Sequence, residues 1–469
     1  MVMGSIKTGT DVLVIGAGPG GYVAAARAGH LGLDVTLVEA SELGGVCLNE
    51  GCIPSKALIA AANIVHHARE AADRGIHFAD LRVDMEKLQE WKDKVIRRLV
   101  SGVAYQQKQA QVNVVRGRAR FEGPHDVVVE GPDGLQAFHF KYCIIATGSQ
   151  PVELPFLKFD GERVLQARDA LNLREVPEHL VVVGGGYIGL ELGIVYRKLG
   201  AQVTVVEMMD QVLPGTDPDL VNVLMRKLRR LGVTVHTRAR ARGLAEEGGR
   251  TVLQVETEGG QVLSLPADKV LVSVGRKPNT EGLNLEAAGV ELDDRGFIKT
   301  DEQCRTNVPH IFAIGDVAGG MLLAHKASHE GLVAAEAIAG KPSAKDWVSV
   351  PAVVFTDPEI AYVGLTEQQA REQGYEVQVG RFQFTASGRA LTLGETDGLV
   401  KIVADAKTGV VLGVQMAGPE VSEMISEAAL ALEMGALAED IARTIHPHPT
   451  LSEGIMEAAQ AIFHGAGRK

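Results

Sequence analysis

Apolar runs of strand length alternate, over the first part of the chain, with alanine- and leucine-rich stretches whose apolar positions recur at helical spacing. The run at 12–15 is followed by a glycine cluster, a helical stretch and a second apolar run ending at Glu39; the run at 180–183 is followed by the same sequence of features ending at Glu207. Residues 11–39 and 179–207 superpose without a gap at an offset of 168 positions, so that Gly16, Gly18, Gly21, Gly32 and Glu39 fall on Gly184, Gly186, Gly189, Gly200 and Glu207. One unit is written twice.

Each copy is a strand, a G-x-G-x-x-G turn, a helix and a second strand ending in an acid, the pattern of a dinucleotide-binding unit. The first glycine permits the tight turn, the second lets a pyrophosphate approach the backbone, and the third lets the helix pack closely on the strand. The helix N-terminus faces the phosphates, and the acid suits a ribose 2′-hydroxyl while repelling a 2′-phosphate. Two copies imply two dinucleotides. Between them the pattern predicts a long helical region over 55–108 and turn-punctuated strands over 112–142. The segment Ile144-Ile145-Ala146-Thr147-Gly148-Ser149 follows, with a boundary at Pro151 and Pro155. Leu271-Val272-Ser273-Val274-Gly275-Arg276-Lys277-Pro278 closes the second half in the same way, and the stretch 306–316 reads as a strand ending in Gly315-Asp316. From residue 350 onward, alternating strands and two helices near 422–434 and 451–462 predict a domain of different, α+β character. The fold class expected is α/β: two Rossmann-like dinucleotide-binding domains plus a C-terminal α+β domain.

A chain of 469 residues exceeds one core and suits three or four domains. Its 47 basic against 59 acidic side chains leave a net charge of −12, which argues against sequence-independent binding to nucleic acid or to an anionic membrane. No export signal or membrane span is legible, and four cysteines are the sparse usage of a reducing compartment, so a cytoplasmic protein is expected. Cys143 and Cys304 read as isolated buried thiols.

The other two cysteines carry chemistry. Cys47 and Cys52 sit in Gly44-Gly45-Val46-Cys47-Leu48-Asn49-Glu50-Gly51-Cys52-Ile53-Pro54-Ser55-Lys56, just after the first glycine turn. A bridge this short closes a small loop and stabilises little, so its value lies in being cycled. Zinc spacing and further ligands are absent from the neighbouring sequence, so no metal site is expected; a structural bridge or two inert thiols are the remaining alternatives. Pro54 as a first helical residue would set Cys52 at a helix N-terminus, where the dipole favours thiolate. Lys56, one turn on, reads either as a solvated lysine or as a partner of Glu191, an acid on an otherwise apolar helical face. Near the C-terminus, His446-Pro447-His448-Pro449-Thr450-Leu451-Ser452-Glu453 offers a His–carboxylate pair of the kind that deprotonates a thiol. Glu453 also reads as a capping-box acid with Thr450 at the N-cap. In an extended strand His446 and His448 would share a face, but the two prolines leave that geometry open.

Taken together, these motifs resemble those of the pyridine-nucleotide disulfide oxidoreductases, over nearly the whole chain, and within that family the members that oxidise dihydrolipoamide. The resemblance implies FAD at the first turn, held by Gly16, Gly18, Gly21, Glu39, Lys56, Ala119, Gly148, Asp316 and Ala324. It implies NAD at the second, held by Gly184, Gly186, Gly189, Glu191, Glu207 and Gly275. It implies a redox disulfide between Cys47 and Cys52. It also implies a homodimer in which His448, supported by Glu453, serves the cysteines of the second subunit. The domains implied are FAD-binding (1–150), NAD-binding (151–280), central (281–349) and interface or dimerisation (350–469). The partners implied are lipoyl domains of an acyltransferase or the glycine-cleavage H protein. Two departures stand out: Val46 occupies a position where many relatives have threonine, and Pro447 separates histidines more often separated by alanine. Glu207 and the lack of any cysteine after Cys304 speak against the NADPH-linked glutathione and mercuric reductases of the same architecture.

Overall fold

The computed structural model describes residues 7–466; the first and last expected domains extend past these bounds, to residues that lie outside the described ones. The chain forms two compact units. Among the described residues, one comprises 7–58, 84–152 and 275–346, the other 59–83, 153–274 and 347–466.

In the first unit, strand Lys7–Ile15 lies between Val35–Glu39 and Gly134–Ile145, parallel to both, with Asn113–Arg116 outside the former and Ile311–Ala313 alongside the end of the latter. Val12, Leu13 and Val14 are wholly buried, as expected of a strand covered on both faces, which reads as a continuous apolar run rather than an alternating one. An antiparallel hairpin, Arg118–Gly123 and Asp126–Gly131, extends the sheet from the start of Gly134–Ile145. Helices Pro19–His30 and Ala324–Ile338 pack against each other through small residues. A Cβ on Gly331 would come 2.6 Å from the Gly20 carbonyl oxygen, so only glycine permits that approach.

The second unit repeats the first sheet's order: Val233–His236, Gln202–Val206, His179–Val183, Lys269–Val272 and Val164–Leu165, all parallel. A three-stranded antiparallel sheet, Arg240–Glu247, Arg250–Glu256 and Val262–Pro266, joins it. The C-terminal part is a five-stranded antiparallel sheet ordered Ala352–Val354, Glu359–Gly364, Val411–Gly418, Leu399–Asp405, Val377–Gln383. Helices Val421–Glu433 and Glu453–Ala466 close its core; Ile455, Ala458, Ala459 and Ile462 form the apolar stripe of the latter.

The α/β fold class expected from the sequence is the one observed. The long helical region is not continuous: helix Cys52–Glu70 ends in a short 3₁₀ turn, Gly75 takes a left-handed conformation, and a new helix, Met85–Gln109, starts where the Asp84 carboxylate accepts the Lys87 N–H at 3.1 Å. A left-handed glycine followed by an Asp cap is a stop and a start, which apolar spacing alone did not separate. Cys143 and Cys304 are buried; burial pushes the Cys143 thiol far up and the Cys304 thiol up to about 12, so both are inert.

One buried cation anchors the C-terminal sheet. Lys401 Nζ, 4% exposed, lies 2.8 Å from Asp217 Oδ2, 2.9 Å from Asp219 Oδ2 and 3.4 Å from Glu367 Oε2. Burial alone would lower this ammonium's pKa, but the hydrogen bonds it donates to Asp217 and Asp219 raise it. Lys401→Met leaves the buried Asp217 carboxylate without its counter-ion, and a loss of about 3–5 kcal/mol is expected, read as a lowered urea midpoint.

Candidate active site

The first glycine turn is shaped by three contacts. Gly16, at φ +101, donates its N–H to Val38 O at 2.8 Å, and a Cβ there would overlap the Ala146 carbonyl. A Cβ on Gly21 would overlap the carbonyl of Gly16. Gly18, the N-cap of helix Pro19–His30, differs: a Cβ there meets nothing within 4 Å, so its backbone faces open space at a helix N-terminus. The second turn repeats this. Gly184 (φ +106) donates to Val206 O at 2.9 Å, a Cβ on Gly189 would overlap the Gly184 carbonyl, and Gly186 faces open space at the N-cap of Tyr187–Leu199. Two turns packed from behind and open in front fit two pyrophosphates.

The strand-end acids do more than the sequence indicated. Glu39 accepts the N–H of Ala17 at 2.7 Å through Oε2 and that of Ser41 at 2.8 Å through Oε1. Glu207 accepts Gly185 N–H and Met209 N–H, both at 2.7 Å, through the equivalent oxygens. Each carboxylate therefore fixes its own glycine turn, and each oxygen keeps a second lone pair.

The cysteine segment is packed onto the first turn. Gly44 donates its N–H to Ala17 O at 2.8 Å, and a Cβ on Gly45 would sit 2.7 Å from Gly18 Cα; both residues have positive φ. Asn49 Nδ2 braces the segment by donating to Leu43 O at 3.0 Å and Gly45 O at 2.9 Å. Cys47 lies in the short helix Gly45–Asn49 and is half-buried, while Cys52 opens helix Cys52–Glu70 and is exposed. Pro54 is thus the third helical residue, not the first; its missing N–H has no partner to lose there either, because the first four N–H groups of a helix point outward. A hydrogen bond with Cys52 pushes the Cys47 thiol strongly up, burial and the Cys52 charge add to this, and Lys56 opposes it. Tyr22, from the helix after the glycine turn, is raised by burial and then by the charges of both sulfurs.

The remaining residues expected in this unit are placed as follows. Asp316 accepts the Ser149 hydroxyl, which in turn accepts Arg276 Nε–H at 2.7 Å. The preceding Gly315 donates its N–H to the buried Glu330 at 2.7 Å, and Glu330 pairs with Lys326 at 2.9 Å. Ala324 begins the helix that carries both. Sequence reasoning missed Ser149, Arg276 and Glu330; an acid on an alanine-rich helical face, the signal read at Glu191, was present at Glu330 as well. Gly148 (φ +72) and Gly275 (φ +131) have open space where a Cβ would stand, and Ala119 is buried in the hairpin opposite Val129.

In the second unit Glu191 is buried and accepts the Phe355 N–H at 2.9 Å. The two C-terminal histidines separate. The side chain of His446 is 4% exposed, bonding Glu427 Oε1 through Nε2 at 2.8 Å and Thr444 O through Nδ1 at 2.9 Å. His448 is 78% exposed and bonds Glu453 Oε1 through Nδ1 at 2.8 Å. The prolines prevent the strand that would have aligned them. Glu453 also accepts the Thr450 N–H at 2.8 Å, so half of the capping box forms; the Thr450 hydroxyl donates instead to Pro447 O. The Thr450 N–H and then His448 hold the Glu453 carboxyl below its usual range.

Residues 10–331 match the family model described as pyridine nucleotide-disulphide oxidoreductase, and residues 350–459 match that of the same family's dimerisation domain. The chain belongs to this family. The dihydrolipoyl dehydrogenase of Haloferax volcanii is 52% identical over 464 residues, covering 98% of each chain, and that of Bacillus subtilis is 51% identical over 99% of this chain and 98% of its own. The crystal structure of LpdA from Mycobacterium tuberculosis has a TM-score of 0.89 at 30% identity, over 96% of this chain and 99% of its own. Both glycine turns, Cys47 and Cys52 of this disulphide oxidoreductase lie in the first match, and His448 and Glu453 in the second.

The open face of the second turn gives a paired test. Gly186→Ala is expected to raise the KM for NAD⁺ with the thermal midpoint unchanged, since no protein atom stands in the way. Gly189→Ala is expected to lower the midpoint, by overpacking worth about 1–3 kcal/mol.

Proposed function

We propose that this chain oxidises dihydrolipoamide to lipoamide with NAD⁺ as acceptor, cycling a disulfide between Cys47 and Cys52. The observation that carries the reading is the dithiol segment hydrogen-bonded to the first glycine turn, Gly44 N–H to Ala17 O. It supports the reading of a redox pair beside a dinucleotide cradle, in a chain about half identical to dihydrolipoyl dehydrogenases along its length.

The residues that hold FAD are Gly16, Gly18, Gly21, Glu39, Lys56, Ala119, Gly148, Asp316 and Ala324; those that hold NAD are Gly184, Gly186, Gly189, Glu191, Glu207 and Gly275. FAD, when bound, supplies the two-electron carrier that links the dithiol to NAD⁺. His448 and Glu453 act as the base. With Nδ1 committed to Glu453, the outward Nε2 is the atom that accepts a proton from one thiol of dihydrolipoamide. The resulting thiolate attacks Cys47 Sγ, the Cys47–Cys52 bond breaks, and Cys52 leaves as thiolate. The second substrate thiol then gives up its proton and its sulfur attacks the substrate sulfur of the mixed disulfide; the bond to Cys47 breaks, Cys47 leaves and takes up that proton, and lipoamide is released with the two electrons left on the cysteine pair. The hydrogen bond with Cys52 and burial push the Cys47 thiol up, which favours the proton on Cys47.

The protein works as a homodimer in the cytoplasm, with His448 of one subunit serving the cysteines of the other. Its dithiol substrate is carried on the lipoyl domain of an acyltransferase or on the glycine-cleavage H protein. The four domains are those drawn at 1–150, 151–280, 281–349 and 350–469.

The deciding measurement compares steady-state turnover of dihydrolipoamide with NAD⁺ against glutathione disulfide with NADPH. The first is expected to proceed, the second to be negligible, and Cys52→Ser to abolish the first; the reverse preference would sink the proposal. His448→Ala is expected to lower kcat by about 10²–10⁴-fold while flavin absorbance is retained, the usual contribution of a positioned base.

A further inference from the structure

Glu191 and Lys198 lie seven residues apart on helix Tyr187–Leu199, on one face, and both grip the same turn. Glu191 Oε1 accepts the Phe355 N–H at 2.9 Å. Two residues on, Asp357 Oδ2 is 2.6 Å from Lys198 Nζ, which also reaches Asn63 Oδ1 at 2.7 Å. Lys227 approaches the other oxygen, Oδ1, at 3.4 Å. Between them Thr356 closes the turn by donating its hydroxyl to Pro358 O at 2.8 Å.

The ion pair is enclosed, with 2% of the Lys198 side chain and 16% of the Asp357 side chain exposed. Burial pushes the Asp357 carboxyl up, and Lys198 and Lys227 together overcome it. A buried pair of this kind contributes little stability beyond what apolar side chains of similar volume provide, so its effect is geometric. It holds the turn at its far end while Glu191 holds the near end. With the Lys198 tie cut, Asp357 keeps only the longer contacts, Lys227 at 3.4 Å and His66 at 3.9 Å, so the turn loosens and the Glu191 carboxylate loses a fixed N–H donor in a buried site.

We infer that Lys198 and Asp357 are positioning residues for Glu191 and, through it, for the half-reaction with NAD⁺. The inference rests on the proposed function, in which Glu191 belongs to the NAD site. Three variants of the holoenzyme test it: Lys198→Met, Asp357→Asn, and the double variant Lys198→Met with Asp357→Leu, which restores apolar packing without the tie. Stopped-flow absorbance reads the two half-reactions separately, and amide hydrogen exchange reads the turn over 355–357. In all three, flavin reduction by dihydrolipoamide is expected to keep its rate, and reoxidation by NAD⁺ to slow about ten- to a hundredfold, the scale of a small misplacement. Exchange at 355–357 is expected to quicken. The double variant is expected to recover thermal stability while the slow NAD⁺ step persists. Unchanged exchange, an unchanged NAD⁺ step, or equal slowing of both half-reactions overturns the inference. If dihydrolipoamide fails to reduce the flavin of the unsubstituted protein, the proposed function falls instead, and exchange at the turn still decides whether the tie exists.

Discussion

The close approach of two backbones, the Gly44–Gly45 segment and the Ala17–Gly18 turn, is the constraint on which the candidate site depends. It needs glycine at Gly45, which has no room for a Cβ against Gly18 Cα, while a Cβ on Gly18 would enter the open space in front of the helix and not the contact. Because the cysteines follow within the same segment, their distance from the dinucleotide cradle is set by main-chain packing and not by flexible side chains. Asn49 adds side-chain amide bonds that close the segment on itself. A redox pair held this way meets its cofactor at low cost in conformational entropy.

Much of this was legible in the sequence because it lives in the backbone. The repeated strands, the glycine turns and the strand-end acids are visible as residue types at fixed spacing, and the observed turns match across the offset down to equivalent hydrogen bonds: Ala17 to Glu39 and Gly185 to Glu207, Ser41 to Glu39 and Met209 to Glu207. Both parallel sheets follow from the same pattern.

What escaped the sequence depends on side chains meeting across long separations. Ser149, Arg276 and Asp316 come from three distant segments, and no local spacing joins them. His446 and His448 look alike in sequence yet take opposite environments, because Glu427, far away in the chain, captures one of them. The helix break near Gly75 was hidden by apolar residues that continue through it, and the beginning of helix Cys52–Glu70 was misplaced because a proline fits any of several N-terminal positions. The tie from Lys198 to Asp357 likewise joins segments that no sequence motif relates.

The two bonds that Glu207 accepts have a bearing on redesign of coenzyme preference. Exchanging this acid for a small or basic residue, the obvious route to accommodating a 2′-phosphate, would strip the buried Gly185 amide and the partly buried Met209 amide of their acceptor. The loop would then be disordered by the same change meant to relabel it. A successful switch must therefore supply new acceptors for those amides along with the new charge, which makes nucleotide choice in this chain a property of the whole turn and not of one side chain.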